Sequence, residues 1–254
     1  AEHRWNDAVA TIMRHQSDNR DPRSLDWSEK NEVLRSNPVT VARMIEHRFH
    51  VYQNEVILSP SEPIGKIVDF FQRVEFQQRG SPHMHCLYWV ENSPKLDKDG
   101  EDAVCSFIDK YVSCAVPSEN QNMELREVVL AVQQHSKKHS KSCKKKGTEC
   151  RFNFPRPPSM CTFINEAPEV ENQENDDHSC HLKQEQEAAK QILLQVWNEV
   201  QNEENESKTT EEIFNNLGLT QGQYEEAHKI LAKKKSIILQ RNPSELWTNQ
   251  YNPC

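Results

Sequence analysis

The first part of the chain alternates between helical spacing and polar stretches. Residues 3–15 predict a short helix, because Trp5, Val9 and Ile12 fall on one of its faces. Residues 16–36 are polar and predict a loop. The amphipathic pattern therefore begins with a helix and a connection rather than with a strand.

The next helix has a clear start signal. Asn37 suits the N-cap position and Pro38 suits the first helical position, where its missing N–H group costs nothing. Apolar residues then recur at helical spacing as far as Val56. The helix is expected to end before Ser59 and Pro60.

A change of period follows this helix. Residues 67–77 alternate apolar and polar side chains, residues 78–82 (QRGSP) favour a turn, and residues 83–90 alternate again. Residues 67–90 therefore predict a β-hairpin.

Beyond the hairpin the pattern is mostly helical, with one acidic interruption. The acidic, polar residues 159–181 predict a disordered linker, because they offer little apolar surface to bury. Together with the hairpin, this favours an α+β fold built on an antiparallel sheet. The predicted elements are helices near 101–115, 122–137, 182–201 and 221–232, and a short strand at 236–241.

Composition narrows the class of protein. The 254 residues contain no apolar run long enough for a membrane span and no signal-peptide pattern at the start. Eight cysteines and 11 histidines in a chain of this length favour an intracellular, metal-using protein over a small disulfide framework. The beginning of the chain gives the impression of an excerpt from a longer protein.

Charge is unevenly spread along the chain. The formal net charge is −8, yet residues 137–156 hold eight Lys and Arg against one acidic residue. Residues 165–206 hold twelve Asp and Glu against two Lys, so the acidic stretch masks the basic one in the sum. The basic stretch is the candidate for nucleic-acid contact.

Two histidines form the first candidate site. His83 and His85 fall on one face of the second strand, where two imidazoles preform half of a divalent metal site. The preceding strand offers Glu75 or Gln77 as a third ligand, and a carboxylate suits Mg²⁺ or Mn²⁺. The alternative is a pair of strand histidines with ordinary hydrogen bonds.

A Cys/His cluster forms the second candidate site. His135, His139, Cys143 and Cys150 have the spacing H-x3-H-x3-C-x6-C, and two nitrogens with two sulfurs suit tetrahedral zinc. The first three are expected on one helical face, with Cys150 returning over a turn at Gly147. The alternative is a solvated, Lys-rich helix end without metal.

Basic and aromatic residues surround this cluster. Phe152 and Phe154 alternate with cations, a pattern that suits a nucleic-acid backbone combined with base stacking. A solvated charge run is the alternative. The candidate DNA-binding residues are Arg79, Lys137, Lys138, Lys141, Lys144, Lys145, Lys146, Arg151 and Arg156.

Several separated motifs resemble one family. The stretch EFQQRGSPHMHCLYWV (75–90) resembles the replication-initiator (Rep) region of Helitron rolling-circle transposons, the Helitron helicase-like N-terminal domain. Its His-hydrophobic-His pattern is similar to the motif of HUH endonucleases. The resemblance continues in CRFNFPRPP (150–158) and ILQRNPSELWTNQYNP (238–253). It implies an antiparallel sheet of HUH, ferredoxin-like type.

The resemblance also implies an activity. In such enzymes His83, His85 and a third polar residue, here Glu75 or Gln77, would hold a divalent cation that polarises a phosphate of single-stranded DNA. A tyrosine would attack that phosphate and form a 5′-phosphotyrosine link, so that strands are nicked and rejoined. The resemblance further implies a transposase with a downstream helicase domain and a nuclear location.

The tyrosines depart from the family pattern. The family's nucleophiles lie on a helix downstream of the NQYNP stretch, and none of the tyrosines here matches that pair. The chain is therefore expected to carry the metal half without the nucleophile, and to form no covalent DNA adduct alone. The rival hypothesis is a non-catalytic zinc- and DNA-binding relic or domesticated module. The tyrosines are Tyr52, Tyr88, Tyr111, Tyr224 and Tyr251.

The predicted domain organisation follows from these motifs. It comprises a partial HUH core (1–134), a basic Cys/His module (135–158), the acidic linker (159–181) and a helical segment with a strand (182–254).

Overall fold

The chain divides into two compact units, Ala1–Ser93 and Pro94–Cys254. A computed structural model describes residues 6–76, 82–139, 143–145, 149–167 and 176–253. The division lies at residue 93, whereas the sequence-based organisation placed its first boundary at 134; the roles assigned to those segments stay predictions.

The first unit begins with three helices, α1 (Asn6–His15), α2 (Trp27–Ser36) and α3 (Pro38–Tyr52). The predicted first helix is confirmed, and its apolar face packs with α2 into a small core. The fully buried side chains of Val9 and Ile12 lie at the centre of that core.

The predicted loop over residues 16–36 is wrong, because α2 occupies its second half. Asp26 caps this helix: its carboxylate accepts from the backbone N–H of Glu29, while the Glu29 carboxylate accepts from the backbone N–H of Asp26. This reciprocal capping box is a local signal for the start of a helix, and it was not recognised among the surrounding polar residues. Leu34 then anchors the helix in the core.

The start signal of α3 is confirmed. The Asn37 side chain accepts from the backbone N–H of Thr40, and Pro38 occupies the first turn. The helix continues into a π-helical turn, Gln53–Ile57, so regular structure ends before Ser59 as predicted.

The predicted hairpin is confirmed as β1 (Ile67–Phe76) and β2 (Pro82–Val90), which pair antiparallel. A register irregularity lies between Ile67 and Asp69. Every described side chain of the hairpin is at least partly exposed, and apolar side chains are exposed on both of its faces. Among the described residues, no third strand pairs with it.

The second unit is mainly helical. Its core joins the helices α6 (Asp176–Gln201), α7 (Thr210–Leu217) and α8 (Gln221–Ile230) with the segment around Leu246. Buried side chains such as Val196, Phe214 and Tyr224 make these contacts. The predicted helices are confirmed with shifted ends, and α7 is an addition whose Thr209–Glu212 capping box was a missed signal. The helices are α4 (Leu96–Tyr111), α5 (Met123–Val132), α6 (Asp176–Gln201), α7 (Thr210–Leu217) and α8 (Gln221–Ile230).

Two parts of the predicted disordered linker (159–181) form regular structure. Residues 163–165 form β5 (Phe163–Asn165), which pairs antiparallel with β6 (Ser236–Ile238), and α6 already begins at Asp176. Tertiary contacts account for the strand, because the Glu101 carboxylate accepts from the backbone N–H of Ile164. The remaining linker residues, 168–175, lie outside the described part of the chain.

The fold class is α+β, as predicted. The described residues contain three two-stranded antiparallel sheets: β1–β2, β5–β6, and β3 (Lys144–Lys145) with β4 (Glu149–Cys150). The larger sheet of HUH type is not seen among these residues. No helix in the described ranges is long and apolar enough to cross a membrane.

Candidate metal centres

The hairpin places its two histidines as predicted. Glu75 lies directly opposite His83 and Arg73 directly opposite His85, so all four side chains project from one face. The imidazole centroids of His83 and His85 are 4.8 Å apart. Glu75 is therefore the acidic residue that the register brings beside the pair, while Gln77 lies outside the described residues.

Two of these side chains, His85 and Glu75, pair with each other. The His85 Nε2 atom lies 2.7 Å from Glu75 Oε2, with about half of each side chain exposed to solvent (56% and 61%). An exposed pair of this kind contributes at most about 1 kcal/mol, so solvent competes with it easily. Two imidazoles and one carboxylate are donor types that divalent cations accept, but in this arrangement their donor atoms do not form a group close enough to hold an ion.

The Cys/His cluster has a different geometry. All four predicted donor atoms, from His135, His139, Cys143 and Cys150, lie within 4.8 Å of one another. Among the described residues, this is the one group of three or more His, Cys, Asp or Glu side chains close enough to hold a metal. A His/Cys cluster of this composition is compatible with zinc.

Individual distances between the donor atoms agree with the dimensions of a tetrahedral zinc site. Cys143 Sγ lies 3.4 Å from His135 Nε2 and 3.4 Å from His139 Nδ1. Cys150 Sγ lies 3.4 Å from His135 Nε2 and 3.5 Å from Cys143 Sγ. A regular tetrahedron with such edges has its centre about 2.1 Å from each corner, close to zinc–nitrogen distances of about 2.0–2.1 Å and zinc–sulfur distances of about 2.3 Å.

The helical arrangement predicted for this cluster is wrong. Helix α5 ends at Val132, so His135 and His139 lie in the following loop and not on a helical face. Cys143 and Cys150 come together because Lys144 pairs with Cys150 in the short β3–β4 ladder, and Gly147 lies outside the described residues. Four ligands on a loop and a hairpin converge more closely than one helix face allows.

Aromatic rings enclose the cluster. The His135 imidazole stacks on Phe154 with centroids 4.4 Å apart and on Trp247 at 6.3 Å. The backbone N–H of His135 donates to the Trp247 carbonyl over 2.7 Å. Trp247 is more than one hundred positions away in sequence, so local patterns gave no signal of its role.

Electrostatics differ between the two thiols. Burial and the neighbouring Cys150 raise the pKa of Cys143. Burial acts on Cys150 in the same direction, but hydrogen bonds from the backbone N–H groups of Phe154 and Phe152 outweigh it and lower the pKa of that thiol. Backbone donors aimed at one sulfur favour its thiolate form, the form that binds metal.

The imidazole of His135 is held neutral. Burial, with the nearby His139 and Arg156, lowers its pKa. Neutral imidazole is the metal-binding form, so the pKa shifts of His135 and Cys150 favour coordination, whereas the raised pKa of Cys143 does not.

The basic residues near the cluster are only partly described. Arg151 lies 4.5 Å over the Phe152 ring, and Arg156 lies 4.9 Å over the Phe154 ring. Lys138 and Lys144 are exposed, whereas Lys137 lies 3.9 Å from Glu206. The structure does not describe Arg79, Lys141 and Lys146, and it does not describe the side chain of Lys145.

The tyrosines do not converge on either site. Tyr224 is fully buried, and burial raises its pKa. Tyr251 donates its hydroxyl to the Ala115 carbonyl. Tyr88 lies on the hairpin face opposite the histidines, where burial raises its pKa to about 12.

Comparison with known proteins supports the resemblance over one part of the chain. Residues 5–88 match the family described as the Helitron helicase-like domain at N-terminus. The match covers about a third of the chain and ends within β2, after both histidines. Residues 5–88 are therefore similar to a Helitron helicase-like N-terminal domain, while the resemblance at 150–158 and 238–253 stays a prediction.

Two further comparisons are negative. No curated protein and no solved structure matches the chain at a significant level.

Proposed function

We propose that this chain is the cation- and DNA-binding part of a Helitron replication initiator, the HUH-type transposase that nicks and rejoins single-stranded DNA. The observation that carries the proposal is the family match over residues 5–88, which contains the exposed pair His83 and His85 with Glu75 across the ladder. A nuclear location and a downstream helicase partner follow from the family and have the same status.

The hairpin residues have distinct roles in this proposal. His83 and His85 supply two nitrogen ligands, and Glu75 supplies an oxygen ligand once its pair with His85 opens. A divalent cation held there provides Lewis-acid polarisation of a scissile phosphate. Arg73, opposite His85 on the same face, contacts a neighbouring phosphate.

The Cys/His cluster has a structural role in the proposal. Four protein ligands close the zinc coordination sphere, so no position is left for a substrate or a catalytic water. The exposed cations Lys138 and Lys144, with Arg151 over Phe152, then provide phosphate contacts and a stacking surface beside it.

Cation-dependent binding tests the hairpin role. Binding of a single-stranded oligonucleotide to the whole chain is measured by fluorescence anisotropy while Mn²⁺ is titrated. Mn²⁺ is expected to strengthen binding to the wild type and to have no effect on His83→Ala/His85→Ala. Met84→Ala, which lies between the histidines on the other face, is the matched control and keeps the response. An equal Mn²⁺ response in all three proteins would reject the hairpin site.

A second candidate function is that of a zinc- and DNA-binding module without catalysis. The pairing of His85 with Glu75 favours this module, because the two side chains bond to each other without a cation. The tyrosine environments favour it as well, since Tyr224 is buried and Tyr251 is hydrogen-bonded.

Nicking separates the two functions. In a longer protein that contains the family's tyrosines, the initiator hypothesis expects His83→Ala/His85→Ala to abolish nicking while DNA binding persists. The module hypothesis expects no nicking activity that depends on these histidines. The chain alone is expected to form no covalent DNA adduct, and a 5′-linked adduct would assign the nucleophile to one of its own tyrosines.

A further inference from the structure

A concave surface of the first unit is lined by residues other than the histidine pair. An open groove of about 860 Å³ runs along α3, with α1 contributing its edge. The α3 side chains lining it form two rows at i+4 spacing, Thr40–Met44–Arg48–Tyr52 and Arg43–His47–Val51. This spacing places one continuous face of the helix toward the groove.

Charge in the groove is predominantly basic. Arg43 and Arg48 line it together with the imidazoles of His15 and His47. Its single acidic lining residue, Asp7, forms an ion pair with Arg48. Burial acts to raise the pKa of Asp7, but the hydrogen bonds from Arg48 and from the backbone N–H of Ala8, with the charge of Arg48, together lower that pKa. Asp7 offsets the charge of Arg48, and Arg43 leaves the groove with a net positive charge.

An aromatic and apolar end adjoins the basic part. Tyr52 is 53% exposed and Val51 is 46% exposed, one helical turn beyond His47 and Arg48. Val56, in the π-helical turn that follows, completes this end. A flat ring with aliphatic neighbours beside cations is the combination that binds a base and its phosphates.

The length of the groove favours a nucleic-acid strand over a single phosphate as its ligand. Thr40 and Tyr52 are twelve residues apart, which corresponds to about 18 Å along a helix, or about five steps at the 3.4 Å rise of one stacked DNA strand.

We propose that this groove is a second binding site for single-stranded nucleic acid, in which Arg43 and Arg48 contact phosphates and Tyr52 stacks on a base. The site goes beyond the cation-dependent contact at His83 and His85, because its charge comes from protein cations alone. Its binding is independent of divalent ions and sensitive to salt.

Affinity measurements test the phosphate contact. Anisotropy of a labelled oligonucleotide is followed without divalent ions, in a His83→Ala/His85→Ala background that removes the hairpin contribution. Arg43→Glu is expected to weaken binding at least five-fold at low salt and to reduce the salt-dependence slope by about one. Arg23→Glu makes the same charge change on an exposed residue outside the groove and is the matched control. Equal losses in the two variants would overturn the proposal.

A base-specific readout tests the stacking contact. Tyr52→Ala is expected to weaken binding of an ordinary oligonucleotide about five-fold or more, while Tyr52→Phe retains it and an abasic oligonucleotide shows no difference. Photocrosslinking of a 5-iododeoxyuridine oligonucleotide is expected to label Tyr52, as mapped by peptide mass spectrometry. Crosslinks confined to the second unit, or an equal loss on the abasic strand, would overturn the assignment.

These outcomes are distinct from those for the hairpin. A lost Mn²⁺ response with intact Tyr52 crosslinks rejects the hairpin site and keeps the groove. The opposite pattern rejects the groove and keeps the hairpin site. Displacement of the oligonucleotide by mononucleotides, with no gain in affinity on lengthening the strand, would replace the strand by a free nucleotide and overturn the proposal as stated.

Discussion

The hairpin and the Cys/His cluster each begin from two nearby histidines, but they present them in opposite ways. His83 and His85 stand on an exposed two-stranded sheet, where a carboxylate pairs with one of them. His135 lies against the Phe154 and Trp247 rings, with two thiols at 3.4 Å. Packing from a distant segment preorganises the cluster, whereas the hairpin leaves its ligands free to be rearranged by a cation.

Under the proposed function, this difference predicts that the cluster is structural and that the hairpin is available for chemistry. A closed, enclosed ligand set contributes to folding and excludes substrate. An exposed, partly satisfied set contributes little to folding and can accept a phosphate. The following predictions test that contrast, beginning with the largest effect.

Loss of zinc is expected to have the largest effect. Purified chain should contain about one zinc, and Cys150→Ser should abolish it and strongly destabilise the second unit, since structural zinc contributes on the order of 10 kcal/mol. Elemental analysis and thermal unfolding with and without a chelator measure both. Cys161→Ser alters an exposed thiol outside the cluster and should keep zinc. Full zinc content in Cys150→Ser would contradict the site.

His228, which belongs to neither candidate metal site, tests the effect of burial alone on a histidine. His228 lies against Tyr224 and Phe163, and burial lowers its pKa to about 4, below its ordinary value of 6.5. The unfolded chain binds this proton first, so stability is complete above about pH 6.5 and falls as pH drops toward 4, by about 3 kcal/mol in total.

Urea unfolding at pH 7.5 and pH 5 measures this dependence. Relative to the wild type, His228→Leu should lose less stability between the two pH values, whereas zinc ligands contribute equally to both proteins and cancel in the difference. Identical pH dependence in the two proteins would show that His228 is not held neutral by burial.

Removal of the aromatic cover should have an intermediate effect. Trp247→Ala is expected to cost roughly 2–3 kcal/mol and to speed zinc release, because the ring stacks on His135 and packs beside Cys143 and Cys150. Thermal unfolding and transfer of zinc to a chromogenic chelator measure the two effects. Trp27→Ala removes a ring that is 64% exposed and should change neither.

The hairpin histidines should have the smallest effect on stability. His83→Ala/His85→Ala is expected to change the free energy of unfolding by less than about 0.5 kcal/mol, because the side chains are exposed. Chemical denaturation in the absence of divalent ions measures it. A loss comparable to that of Trp247→Ala would remove the contrast between the two regions.

Local signals carried much of the secondary structure. The Asn37–Pro38 start of α3 and the period-two alternation of β1 and β2 depend on neighbours in sequence, and both were predictable. Helix α2 and strand β5 were missed for different reasons. The capping box at Asp26 was overlooked among polar residues. Strand β5 is held in place by Glu101 and β6, and these contacts leave no local sequence pattern.

The candidate sites divide in the same manner. Two-residue spacing and antiparallel pairing placed Glu75 beside His83 and His85, because register follows from alternation once the turn is known. The groove along α3 was not predicted, because its edge at Asp7 and His15 belongs to α1 and meets α3 only in the folded unit.

The sequence by itself determined the four candidate metal ligands of the cluster, the histidine pair and the α+β class, because ligand chemistry and periodicity are properties of residue type and spacing. Only the tertiary structure decided that the cluster is built from a loop and a hairpin instead of a helix. It also placed Trp247 over His135, and it left the hairpin exposed. These features depend on contacts between segments far apart in the chain, and their free energy is gained only when those segments pack together.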